Sequence, residues 1–70
     1  MTYREAARKL TALGCQHVAR KGGGWHRKWV NPATNRATVL PERGGRDLRL
    51  GTLRAAVRQL GVQWRLFEQA

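Results

Sequence analysis

Near the middle of the chain, the run Gly22-Gly23-Gly24-Trp25-His26-Arg27-Lys28-Trp29-Val30-Asn31-Pro32 sets one imidazole after three glycines, between two tryptophans and beside two cations. Histidine has an ordinary pKa of about 6.5, which lets it take or give a proton near neutral pH. Glycines allow a bulky polymer to approach the main chain, and nearby cations stabilise negative charge developing on a phosphate. Together these residue types suit acid–base work on an anionic polymer at His26. The plainer alternative is a surface or packing histidine, and His17 is left to that alternative. Side chains alternate across a strand, so Trp25, Arg27 and Trp29 project to one face and His26, Lys28 and Val30 to the other. With Trp29 in the core, His26 and Lys28 face outward. Trp25 is either a packing residue or a ring on which an unpaired base stacks.

Other chemistries fit less well. Glu5, Glu42, Asp47 and Glu68 lie in four separate segments, which speaks against a two-metal nuclease centre. Cys15, His17 and His26 lack the spacing of a zinc set, so neither metal nor cofactor is expected. Cys15 is the one cysteine; it has no partner for an internal disulfide and reads as a small buried hydrophobe.

The charge balance narrows the partners. Fourteen Lys and Arg face four Asp and Glu, a formal charge of +10, while 41% of residues are hydrophobic. That is enough apolar content for a fold and enough positive charge to attract nucleic acid or an acidic protein surface. The cations are spread along the chain rather than gathered on one amphipathic helix, which disfavours a membrane-surface peptide. No apolar run approaches the ~20 residues of a membrane span, and no leader pattern precedes a cleavage site. The simplest reading is a soluble cytoplasmic protein of one domain, residues 1–70, with a thin core.

A scaffold for His26 can be read from the flanking segments. Thr2 and Glu5 form a capping-box pattern ahead of Ala6, Ala7, Leu10 and Leu13 at helical spacing, and Gly14 follows. A first helix is expected at Tyr3 to Leu13. Strands are expected at Cys15 to Lys21, Trp25 to Asn31 and Ala37 to Leu40, joined by the glycine turn and by Asn31-Pro32-Ala33-Thr34-Asn35. After the polar connection Glu42 to Leu50, Thr52 is a candidate cap for a helix striped by Leu53, Val57 and Leu60 and ended by Gly61. A short tail helix within Val62 to Ala70 would bring Trp64 and Phe67 over the core edge. The fold class is α+β in the order α-β-β-β-α, a three-stranded antiparallel meander with two helices on one face.

Those same residues carry a resemblance. Gly24-Trp25-His26-Arg27-Lys28-Trp29-Val30-Asn31-Pro32 resembles the glycine-Ser-His, aromatic, His/Asn-Pro pattern of the HicA toxins, the mRNA-cleaving partners of HicAB toxin-antitoxin systems. Thr38-Val39-Leu40-Pro41, Gly44-Gly45-Arg46-Asp47-Leu48, Leu50-Gly51-Thr52-Leu53-Arg54 and Arg58-Gln59-Leu60-Gly61-Val62 are similar to the family's third strand, loop and GTLR-containing helix. The resemblance implies a fold like that of a double-stranded-RNA-binding domain (dsRBD-like) and an endoribonuclease with its catalytic histidine at His26. It also implies single-stranded mRNA as substrate and neutralisation by a HicB-like antitoxin. The family glycine falls on Gly24 and the core aromatic on Trp29, while Trp25 stands where the family usually has serine. Gly24, Lys21, Arg27 and Lys28 are the expected RNA contacts.

RNA carries its own nucleophile, the 2′-hydroxyl, so cleavage without metal needs only a proton acceptor, charge stabilisation and alignment. His26 fits the first role, and Arg27 and Lys28 the second. Two rivals stand beside this reading: a noncatalytic RNA- or DNA-binding module in which His26 merely touches phosphate, and an interaction protein whose charge serves an acidic partner.

Overall fold

A computed structural model of the protein describes residues 1–19 and 24–70. Helix α1 (Tyr3–Ala12) begins at Thr2, whose hydroxyl accepts the Glu5 backbone N–H at 3.2 Å, and buries Ala6 and Leu10 one turn apart. Its end is marked by Gly14 at φ +91°, a left-handed position that glycine adopts without a Cβ clash. Strands β1 (Gln16–Val18), β2 (His26–Asn31) and β3 (Arg36–Pro41) form an antiparallel sheet in that order. Helix α2 (Leu50–Gln59) and the short α3 (Trp64–Gln69) complete the chain.

The expected α+β meander is what forms, with the tail segment adding the third helix. Ala6, Leu10, Cys15, Trp29, Leu40, Leu53, Ala56, Val57, Leu60 and Phe67 make one buried cluster between the helices and one face of the sheet. Trp29 is paired with Thr38 and Arg27 with Leu40, so these four residues share the covered face. The Trp29 indole N–H donates to the Tyr3 hydroxyl at 3.1 Å, which satisfies the polar end of the largest strand side chain.

Two locks fasten the β2–β3 hairpin and the tail. The buried Asn31 amide donates to the Leu60 carbonyl at 2.8 Å, and its side-chain oxygen accepts the Ala33 N–H at 3.1 Å. The Thr34 hydroxyl donates to the same Leu60 carbonyl at 2.8 Å. The second lock is Lys9, whose ammonium donates to the Glu68 and Ala70 carbonyls at 2.7 and 3.0 Å, placing a cation at the carbonyl end of α3.

Several expected boundaries move. Thr52 does not cap α2: the helix already includes Leu50 and Gly51, and its N-cap is Arg49 with no side-chain cap bond. The preceding segment is instead held by the Leu48 N–H donating to the Met1 carbonyl at 2.8 Å and by a bridge between Thr2 and Asp47, so the helix starts without a capping hydroxyl. The first strand is Gln16–Val18, with Arg20 and Lys21 of its expected range outside the described residues, and Trp25 lies in a bend ahead of β2. Leu13 is the C-cap of α1 rather than its last helical residue.

Candidate active site

The alternation that buries Trp29 and Asn31 turns His26, Lys28 and Val30 to the open face of the sheet. His26 is the first residue of β2 and is exposed, paired across the sheet with Pro41. Lys28 follows on the same face, half-buried beside Val18 and Val39, its partners on either side. The quoted motif thus divides by function: its aromatic and its Asn-Pro end build the core and the hairpin turn, and its glycine and histidine lie at the accessible end.

Gly24 has φ +97°, and a Cβ there would meet nothing within 4 Å. The requirement is therefore conformational: a left-handed residue turns the chain into β2 just ahead of the histidine. Trp25 is 44% exposed, with its ring centroid 4.0 Å from that of His26 at an interplanar angle of 37°. The Arg43 guanidinium lies over the Trp25 ring at 4.1 Å, a favourable placement against the negative face of the indole. His26, Trp25 and Arg43 form one contiguous exposed group. The Glu42 backbone N–H donates to the Trp25 carbonyl, which continues the β2–β3 pairing past the strand end and fixes this group relative to the sheet.

Arg27, expected as a phosphate contact, is on the opposite face from His26. Its Nε donates to Glu42 Oε1 at 2.7 Å in a half-buried ion pair, so its charge is already engaged across the hairpin. Lys28 is the expected cation that shares the His26 face. Lys21 lies outside the described residues. His17 is exposed, with its ring centroid 5.6 Å from that of Trp29. Among the described residues no three His, Cys, Asp or Glu side chains come together as a metal set. Burial pushes the Cys15 thiol up from its ordinary value and leaves it a core group.

Arg43 is a candidate site residue that the linear sequence hides. It stands in the polar connection after β3, and only the hairpin register returns it to Trp25, whose ring lies against His26. Residues 3–62 match the family model described as the HicA toxin of bacterial toxin-antitoxin. No curated protein matches the chain.

Proposed function

This chain belongs to the HicA toxin family, and we propose that it is an mRNA-cleaving toxin in which His26 moves the proton of the RNA 2′-hydroxyl. The observation that carries the reading is the exposure of His26 on the open sheet face, at the end of a left-handed Gly24 turn and against Trp25. A strand of RNA can reach this imidazole without displacing any core side chain. The 2′-oxygen attacks the adjacent phosphorus as His26 accepts its proton, and the P–O5′ bond breaks to leave a 2′,3′-cyclic phosphate while the departing 5′-oxygen takes a proton from water and becomes a 5′-hydroxyl. Lys28, on the same face, and Arg43, beyond Trp25, supply positive charge for the phosphorane-like transition state. No carboxylate pair is required by this route.

The natural partner is a HicB-type antitoxin. A basic toxin is complemented by an acidic surface, and the antitoxin neutralises cleavage by covering the His26 face. The reaction takes place on mRNA in the cytoplasm and arrests translation and growth. Among the described residues no helix is long and apolar enough to cross a membrane.

General acid–base catalysis is worth about 10²- to 10⁴-fold, so His26→Ala should lose cleavage by at least about a hundredfold while its affinity for the same RNA changes little. A variant that cleaves as fast as the wild type would remove His26 from the reaction. A wild type that binds RNA but never cleaves it would favour the noncatalytic binding module.

A further inference from the structure

We propose that the cleft between the end of β3 and the start of α2 is a second phosphate site, which holds the RNA backbone next to the nucleotide cleaved at His26. It rests on the catalytic reading above and extends it. The cleft has a volume of 480 Å³ and is lined by Pro41, Arg43, Arg46, Asp47, Arg49 and Thr52. Three arginines line it, and each guanidinium is a planar fork that matches phosphate oxygens.

Among the described residues no carboxylate lies within ion-pair distance of these three arginines, although the Arg43 guanidinium also lies over the Trp25 ring. Glu42 is taken by Arg27, and Asp47 faces the Met1 amino group at 3.5 Å. Three like charges held together in a strongly basic chain repel one another, and an anion in the cleft relieves that repulsion. The helix that opens onto the cleft, α2, is ten residues long and has no acidic residue in its first turn, so its free N–H groups add to the positive potential.

Position ties the cleft to catalysis. Pro41 is the strand partner of His26, which puts the cleft wall about one strand spacing, ~4.8 Å, from the histidine backbone. Arg43 belongs to both places: it lines the cleft and covers Trp25, whose ring touches His26. A nucleic-acid strand following this strip meets His26, then Trp25 and Arg43, then Arg46 and Arg49. An acidic protein segment is the other polyanion of suitable charge. The polar walls and the continuity with the imidazole favour the RNA backbone.

The test uses the full chain carrying His26→Ala, so that RNA is bound and not consumed, with a short fluorescein-labelled single-stranded RNA titrated at several salt concentrations. Arg46→Gln with Arg49→Gln removes two cleft charges. Arg8→Gln with Arg65→Gln removes two exposed charges from α1 and α3. Each phosphate contact on a single strand contributes about 0.7 to the slope of log K against log salt, so the cleft pair should lower that slope by about 1.4. Affinity should fall by at least about tenfold near 0.15 M salt, while the control pair keeps both slope and affinity close to the parent. Arg46→Lys with Arg49→Lys keeps the charge and should keep most of the slope.

Equal losses from the two glutamine pairs would overturn the assignment, because net charge alone would then explain them. So would an unchanged RNA slope in the cleft pair, including the case in which it weakens only binding of the antitoxin. The catalytic reading fails separately: a wild type that cleaves no RNA would remove the role of His26 and leave the binding comparison standing.

Discussion

Replacing Gly61 by alanine should unlock the hairpin that presents His26. Gly61 has φ +72°, and a Cβ there would lie 2.7 Å from Thr34 Cγ2 and 3.1 Å from Thr34 Cβ. The left-handed conformation costs an L-residue about 1–2 kcal/mol. The contact is well inside the ~3.5–4.0 Å optimum for carbon pairs, so Thr34 must shift and strain its 2.8 Å bond to the Leu60 carbonyl, a further loss of about 1 kcal/mol. The sum, about 2–3 kcal/mol, is a large share of the ~3.5–10 kcal/mol that a chain of this length retains. At about 4–8 °C per kcal/mol the melting temperature should fall by roughly 10–20 °C. Thr34→Ser removes the nearest carbon and keeps the hydroxyl, so Gly61→Ala should cost about 1 kcal/mol less in that background. Urea denaturation of the four proteins completes the cycle. A Gly61→Ala loss below about 0.5 kcal/mol, or an equal loss in both backgrounds, would refute the reasoning.

Other consequences can be checked independently. Lys9→Met keeps the apolar stem and removes the ammonium that joins α1 to the end of α3; amide exchange at Phe67 to Ala70 should quicken by about tenfold, with the sheet amides unaffected. Tyr3 is held above the ordinary tyrosine value of 10.0, chiefly by burial. The folded state therefore keeps that proton after the unfolded chain loses it, and stability falls as pH rises past 10.0. Tyr3→Phe should be less stable at neutral pH by about 1 kcal/mol, because the Trp29 indole N–H loses its acceptor, and that deficit should shrink above pH 10.0 in urea melts. Cys15, buried and raised, should react with a thiol reagent at least about tenfold more slowly in the folded protein than in urea.

Much of this fold is legible because local and tertiary preferences agree. Thr2 and Glu5 announce α1, and the alternation from His26 to Asn31 separates the covered from the open face, so the outward direction of His26 follows from where Trp29 must go, whereas Trp25, expected on the Trp29 side, is exposed in the bend before β2. Thr52 misled because a hydroxyl ahead of an apolar stripe reads as a cap. The start of α2 is set instead by contacts of Leu48 and Asp47 with the first residues of the chain, which no local pattern shows. The half-buried Arg27–Glu42 pair depends on the β2–β3 register, since its members are fifteen residues apart. The same register makes Arg43 a neighbour of Trp25, and the turn into α2 gathers Arg46 and Arg49 beside it. In the sequence these three arginines are only part of a polar connection.

The most direct measurement of the catalytic role is to incubate purified wild type and His26→Ala with single-stranded RNA in excess EDTA and determine the chemistry of the new ends. The wild type should cut and leave 2′,3′-cyclic phosphates opposite 5′-hydroxyls, and His26→Ala should leave the RNA intact while still binding it. Cleavage that persists in His26→Ala, or that needs added metal and leaves 3′-hydroxyl ends, would contradict a reaction driven by this histidine.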